Sequence, residues 1–356
     1  MILALVPAHN ERGKVAAAVD SLRQQSEPPD RIVVVADNCT DDTEEVARAA
    51  GAEVWPTSGN HARKAGALNQ VLASLLPGLA DEDAVLVLDA DSVLTRRFLQ
   101  VARSRLAKDT TIGAIGGVFL GEEGAGLVGE LQRNEYTRYA RDIARKKARA
   151  MVLTGTATLF RVDVLRAVTA ARAATLPGVA GRTFDTSSLT EDNEMTLAIK
   201  TLGFRTLSPR QCVVFTEVMT TWTDLWRQRV RWQRGAIENL RQYGLSRVTL
   251  PYVGQQLGMT LGLVAMWVYL AFTALLITSG QFSFSPVWAG VGLVFVVERV
   301  TTVWRRGPAA RLLAGVLLPE ICYDLFQQAV LVRAAFDTLT KRDAAWHHPI
   351  AVRDGR

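Results

Sequence analysis

Cysteine is scarce in this chain of 356 residues. Only Cys39, Cys212 and Cys322 occur, far apart and never as Cys-x-x-Cys. That pattern argues against a zinc site or a disulfide framework and fits a reducing compartment. No P-loop and no Gly-x-Ser-x-Gly elbow is present, so the usual readings for those motifs lack support. The opening Met1-Ile2-Leu3-Ala4-Leu5-Val6 is apolar, but it lacks a basic n-region and stops at Pro7. It reads as a buried strand and not as a signal peptide, which leaves the catalytic part expected in the cytosol.

Charge is modest in total and uneven in place. The formal net charge is +6, with basic density at 138–149 and 227–247. Such segments suit anionic lipid headgroups or an anionic substrate, or form a solvated helix face. Nucleic acid is not an expected partner. Residues 1–250 are mixed and charged, whereas 251–335 are mostly apolar.

Short β-branched runs at Ile2–Val6, Arg31–Ala36, Glu53–Pro56 and Ala84–Leu88 alternate with helical spacing at Glu11–Gln25, Thr43–Ala50 and Ala65–Leu76. This alternation predicts an α/β fold with a doubly wound, mostly parallel sheet. Ligands of such sheets bind beyond the carboxyl ends of the strands. Asn10-Glu11, Asp37 and Asp89-Ala90-Asp91 all follow apolar runs, so they should converge on one edge. Further along, 112–120 reads as a strand region with glycine bends, 126–150 as a long basic helix, and 150–161 as a return to the sheet. Residues 167–187 read as a loose connection, 189–201 as a helix that Thr190 could cap, and 222–243 as an amphipathic Arg-rich helix.

Three apolar stretches follow. Val253–Ser279 is long enough to cross a hydrocarbon core, which takes about 20 residues. Residues 286–304 make a shorter second candidate, and 309–336 a third that carries Glu320, Asp324 and Arg333. Those charges are expensive in lipid, so the third is expected to cross or to lie along the interface. Basic residues at 227–247, at Arg305-Arg306 and in the 341–356 tail all favour the cytosolic side. The expected organisation is a catalytic domain at 1–220, an interface helix at 221–250, a membrane region at 251–340 with two or three crossings, and a basic cytosolic tail at 341–356.

Chemistry concentrates in a few residues. Asp89 and Asp91, after an apolar strand, can turn two hard oxygen ligands towards one Mg²⁺ or Mn²⁺ ion. Glu191-Asp192 could be ordinary helix N-terminal charge, or could supply a general base. In Gln228-Arg229-Val230-Arg231-Trp232, helical spacing puts Gln228, Arg231 and Trp232 near one face. Arg can clamp a phosphate, and Trp can stack on a sugar or sit at a membrane interface. Lys64, at a helix start, could reach a phosphate or remain solvated. His347-His348 in the tail reads as incidental.

Taken together, these motifs resemble family 2 glycosyltransferases of the GT-A fold, in particular the membrane-bound branch of cellulose, chitin and hyaluronan synthases. Val6-Pro7-Ala8-His9-Asn10-Glu11 is similar to that family's opening Pro-Ala-Tyr-Asn-Glu, with His9 in place of tyrosine. The segment around Asp37 is similar to its second nucleotide-binding segment, with Ala36-Asp37 where Asp-Asp is frequent. Lys64-Ala65-Gly66-Ala67-Leu68-Asn69, Asp89-x-Asp91, Gly155-Thr156, Thr190-Glu191-Asp192 and Gln228-x-x-Arg231-Trp232 match its later motifs. The resemblance implies that Ala8, Glu11, Asp37, Lys64, Asp89, Asp91, Gln228 and Arg231 bind a nucleotide-sugar donor, most simply a UDP-sugar. It implies a metal at Asp91 and Asp89, an acceptor at Gly155, Thr156, Glu191 and Trp232, and Asp192 as the base of an inverting displacement. The acceptor would be a glycan or a lipid-linked molecule, and the setting the inner or plasma membrane. Membrane lipids are expected partners, and self-association stays open. A polyprenyl-phosphate sugar synthase or a single-transfer glycolipid enzyme is the alternative to polysaccharide synthesis. The large synthases carry membrane helices ahead of the catalytic domain, whereas this chain opens on a strand, so export by a single copy is not expected.

Overall fold

The computed structural model describes residues 1–281, 283 and 285–340, so the 341–356 tail and His347-His348 lie outside the described residues. Among the described residues, ten strands form two sheets. The main sheet contains β1 (Ile2–Ala8), β2 (Arg31–Ala36), β3 (Glu53–Pro56), β4 (Ala84–Leu88), β6 (Ile112–Gly116), β8 (Ala157–Arg161) and β9 (Arg205–Leu207), in the spatial order β3-β2-β1-β4-β8-β6-β9. Within it β8 alone runs antiparallel, pairing β4 on one side and β6 on the other. A smaller sheet joins β5 (Ser92–Leu94), β10 (Val213–Thr216) and β7 (Val118–Gly121).

Strand periodicity explains why both faces of the main sheet are covered. Ala4 and Val6 of β1, with Leu86 and Leu88 of β4, pack under α1 (Val15–Arg23), α2 (Thr43–Ala49) and α4 (Phe98–Lys108). Their neighbours Leu3, Leu5, Val85 and Val87 pack under α3 (Arg63–Leu75), α6 (Val162–Ala171) and α7 (Glu191–Thr201). An odd–even split of this kind is what a strand buried on both faces requires. The order runs β1 to β3 in one direction while β4 lies on the other side of β1, so the crevice opens where β1 and β4 end.

Several sequence expectations shift. The helix expected over 126–150 is α5, Gly126–Arg145, and the return strand is confined to 157–161. The expected loose connection contains part of α6, and Thr190 does not cap α7 with its side chain. Its hydroxyl instead accepts a hydrogen bond from Asn239.

Helix α8 (Trp222–Tyr243) matches its expected range. Thr221 caps it by accepting from the Asp224 amide at 3.1 Å. Helix α9 (Leu250–Thr278) has 29 residues and is, among the described residues, the one helix long and apolar enough to cross a membrane. Its start is tied to the catalytic domain, where the Lys200 ammonium donates to the Tyr252 hydroxyl at 2.7 Å and that hydroxyl donates to the Met151 carbonyl. Helix α10 (Pro286–Thr302) has 17 residues, about 26 Å at 1.5 Å each.

The third apolar stretch is two helices, α11 (Pro308–Val316) and α12 (Leu318–Leu339), broken at Leu317 with φ 60°. The charges that seemed expensive in it are paired. Fully buried Glu320 meets Arg138 of α5 at 3.0 Å and Arg299 of α10 at 2.7 Å, and accepts from Asn134 at 3.2 Å. Arg299 also pairs with Asp324, and Arg333 with Asp337. Helix α12 therefore packs on the α5–α8 surface, through Tyr323, Trp222 and Phe326 among others.

Candidate active site

The crevice is a cavity of about 1020 Å³. Lys64, Asp89, Asp91, Gly155, Thr156, Glu191, Asp192, Gln228, Arg231 and Trp232 all line it. Ala8, Glu11 and Asp37 sit apart from that lining, at the ends of β1 and β2.

Lys64, one residue into α3, holds the centre. Its ammonium lies 2.6 Å from Asp89 Oδ1 and 3.1 Å from Glu191 Oε1, and donates to the Gly155 carbonyl at 3.0 Å. An ammonium has three donors, so this one is saturated and joins both acidic motifs. Burial opposes its charge, but Asp89 and Glu191 outweigh burial and raise its pKa. The Asp89 amide donates to the Thr156 carbonyl at 2.9 Å, which fixes the Asp89-x-Asp91 turn to the chain entering β8.

Asp192 is gripped by backbone. Its Oδ2 accepts from the Gly155 amide at 3.0 Å and its Oδ1 from the Asn193 amide at 2.7 Å. A Cβ at position 155 would stand 3.2 Å from that Oδ2, which is why a glycine fits there. Burial and the neighbouring Glu191 charge push Asp192 up to about 6, against the pull of Lys64 and Arg231. Glu191 goes the other way: burial disfavours its charge, yet Lys64 and Arg231 hold it below the usual carboxylate range. The pair is thus split in acidity, with Asp192 the better proton acceptor.

A second acidic group lies towards β1. Glu11 is raised to about 7 by burial, then by Asp91, Glu217 and Asp89. Asp89 is raised to about 6 by burial and by Asp91, against Lys64. Burial likewise raises Asp91, whose Oδ1 accepts from Ser92 at 3.0 Å. Among the described residues no three His, Cys, Asp or Glu side chains form a ready-made metal cage. What is offered is a carboxylate edge with surplus negative charge. That donor set fits Mg²⁺ or Mn²⁺ bound by one or two carboxylates and completed by phosphate oxygens.

Asp37 is enclosed: its Oδ1 accepts from Asn60 at 2.7 Å, Thr57 at 2.9 Å and Asn38 at 3.0 Å. Its amide donates to the Ala8 carbonyl at 2.8 Å, joining the first two motifs.

The helical wall holds residues the motif reading passed over. Arg229, inside the pentapeptide, pairs with Glu135 at 2.8 Å and lies 4.4 Å over the Trp232 ring. Glu135 also accepts from Tyr323 at 2.6 Å, so Trp232 is set in place through α5 and α12. Gly235 lets α8 approach Thr190, for a Cβ there would lie 2.4 Å from the Thr190 hydroxyl. Glu194 is not part of the cleft. It takes a bidentate bond from buried Arg172, at 2.5 and 2.8 Å, and a bond from Tyr243. Glu217 follows β10, and the run Val213-Val214-Phe215-Thr216 has the composition that could have revealed it. Gly124, Gly126 and Gly129 have Gly-x-Gly-x-x-Gly spacing, but they follow β7 of the small sheet, and Gly124 accepts from Arg133 at 2.8 Å. That setting is no βαβ dinucleotide fold.

Fold and site together define an α/β domain with a carboxylate-lined crevice at the strand ends, and comparison with known proteins gives the family. Residues 2–235 match the model described as glycosyltransferase like family 2, and the chain belongs to that family. It is 26% identical over 243 residues to the probable glycosyltransferase YdaM of Bacillus subtilis, covering 65% of this chain and 54% of that protein. It is 24% identical over 249 residues to poly-beta-1,6-N-acetyl-D-glucosamine synthase of Staphylococcus epidermidis, covering 66% and 54%. The chain therefore spans about half the length of these curated relatives. Among solved structures, mannosyltransferase PcManGT from Pyrobaculum calidifontis, in complex with GDP-Man and Mn²⁺, has the same fold. The TM-score is 0.62 at 20% identity, covering 96% of this chain and 88% of that one.

Proposed function

We propose that this chain is an inverting glycosyltransferase that moves a sugar from a nucleotide-sugar, a UDP-sugar in the first instance, to an acceptor hydroxyl beside a membrane. The observation that carries this reading is the Lys64 bridge between Asp89 and Glu191, with Asp192 held one residue away by the Gly155 amide. Asp192 accepts the proton of the attacking hydroxyl at Oδ1 or Oδ2. Lys64 exchanges a carboxylate for the donor's diphosphate, and Arg231 adds a second cation on the same side. Asp91 and Asp89 are the residues to hold Mg²⁺ or Mn²⁺, which when bound neutralises diphosphate charge. Ala8, Glu11 and Asp37 take the nucleoside end, Gln228 the donor through its side-chain NH₂ with its Oε1 left towards the acceptor, and Gly155, Thr156, Glu191 and Trp232 the acceptor.

The membrane setting rests on α9, whose Leu261, Trp267, Val268, Phe272 and Leu275 are all exposed. Its first turns are fastened to the catalytic domain, and α10 returns to that domain through the Arg141–Thr302 contact, while Arg299 ties it to Glu320 of α12. The two helices form a hairpin with a short return arm, the catalytic domain staying cytosolic at the cell membrane.

The test is nucleotide release by the full chain in lipid nanodiscs, with a panel of UDP- and GDP-sugars and Mg²⁺ or Mn²⁺. Asp192→Asn should lower transfer about 10²–10⁴-fold with nucleotide affinity retained. Transfer at the wild-type rate removes Asp192 from the base role.

A further inference from the structure

The cavity does not end at the carboxylates. Besides Trp232 it is lined by Met259, Leu263 and Met266 of α9 and by Leu331 of α12. Set into this apolar passage are two amide groups on facing helices, Gln228 of α8 and Gln328 of α12. The Oε1 atom of each is buried and has no hydrogen-bond partner. Buried acceptors in that state are uncommon, and a ligand hydroxyl can supply the missing donor. The remaining faces of α9 are apolar and exposed, so the passage borders the surface that a bilayer would cover.

We infer that this outer passage is the acceptor subsite and that its occupant is a glycosylated lipid. The saccharide donates hydroxyls to Gln228 and Gln328, and the alkyl chain lies along Met259, Leu263, Met266 and Leu331. The inference rests on the proposed transfer reaction. In it the acceptor oxygen forms a bond to the anomeric carbon of the donor. The bond from that carbon to the diphosphate oxygen breaks, the diphosphate leaves with the electron pair, and the hydroxyl proton passes to Asp192. A free glycan would satisfy the amides but leave the apolar walls bare, while a lipid without sugar would leave the amides unmet. Gln228 falls within the residues that match the family model, whereas α9 and Gln328 of α12 lie beyond them, so the apolar part of this subsite is outside that match.

The experiment uses the full chain in nanodiscs free of glycosidic detergent, with the donor found by nucleotide release. Acceptors are alkyl glycosides of four to eight carbons, below their micelle concentrations, beside the matching free sugars. Expected is a product one sugar heavier than the alkyl glycoside, with KM falling roughly two- to fourfold per added methylene. Leu263→Asn should flatten that dependence on chain length. Gln328→Leu should raise KM for every alkyl glycoside by about threefold or more, leaving the chain-length dependence intact. A KM indifferent to chain length in the wild-type protein, or free sugars used as well as alkyl glycosides, overturns the inference. Release of nucleotide to water, measured without acceptor, reports the donor chemistry alone. Release without any use of alkyl glycosides overturns the lipid acceptor and leaves the transfer reading standing, whereas no release from any donor overturns both.

Discussion

On the sheet side of the cleft, Asp89 and Asp192 are positioned by backbone groups and by one lysine, with Asp89 directly after β4, Gly155 two residues before β8, and Asp192 in the first turn of α7. On the helical side, Trp232 is positioned by Arg229, which depends on Glu135 of α5 and Tyr323 of α12, residues 94 and 188 positions apart from their partners. The first wall is local and shares its rigidity with the core. The second is an assembly of three helices joined by buried ionic groups. Such groups stabilise an arrangement only while every partner is present. The comparison predicts that damage to the sheet wall removes chemistry, while damage to the helical wall removes structure first.

The largest expected effect follows from Glu320. Glu320→Ala leaves Arg138 and Arg299 facing each other without their shared carboxylate, at a cost of about 3–5 kcal/mol. Thermal unfolding in nanodiscs should show it, together with proteolytic cleavage within α12, and wild-type stability would mean the helices dock by apolar contact alone. Next comes Lys64→Met. It should lower kcat/KM by about 10²–10³-fold through lost diphosphate stabilisation, with little change in unfolding temperature. If it unfolds the protein instead, the two walls do not differ in the stated way.

Gly235→Ala is smaller, about 1–3 kcal/mol, because a methyl group 2.4 Å from the Thr190 hydroxyl forces α8 and the Asp192 turn apart. It should affect rate and stability together, and an effect on neither would show that the two elements part freely.

The pH predictions are the mildest and the most diagnostic of the sheet wall. Asp192, raised to about 6 by burial and Glu191, is protonated below that pH and cannot take up the acceptor's proton. Free-enzyme kcat/KM should fall about tenfold per unit below pH 6 and level off above it. In Lys64→Met, loss of a neighbouring cation should move the midpoint upward. A midpoint that stays in place would remove Lys64 from the field at Asp192. Asp89 at about 6 also holds a proton that a divalent cation must displace, so Mn²⁺ affinity should weaken from pH 8 to pH 5. Titration calorimetry giving one Kd across that range would exclude that carboxylate.

How much could be read beforehand follows the same division. Asp37, Asp89 and Asp91 were legible because strand periodicity places whatever follows an apolar run at the sheet edge. The α8 range was legible from Trp222 to Tyr243 because a helix this amphipathic is defined by its own spacing. Arg229 was not, since its burial comes from α5 and α12 and nothing in its neighbours announces Glu135 or Tyr323. Glu194 sits in the same acidic run as Glu191 and Asp192, and its bonds from Arg172, 22 residues earlier, and from Tyr243 separate it from them. Residues 309–336 read as one lipid-seeking stretch because Glu320 and Asp324 had no visible counter-ions, which Arg138 and Arg299 supply from other helices. The small second sheet was missed because β5 has three residues and β7 and β10 four each, too few to show a period.

The Lys200–Tyr252 fastening has a geometric consequence. It fixes the lower end of α9 against the catalytic domain, and Leu263 stands eleven residues further on, about 16 Å along the helix axis. Under the proposed arrangement the molecule is a ruler. A hydroxyl carried by a lipid meets Asp192 at one height above the bilayer, and a headgroup one sugar taller presents its next hydroxyl beyond that mark. A single inserted residue between Tyr252 and Met259 would turn the measuring face by about 100° and erase the scale.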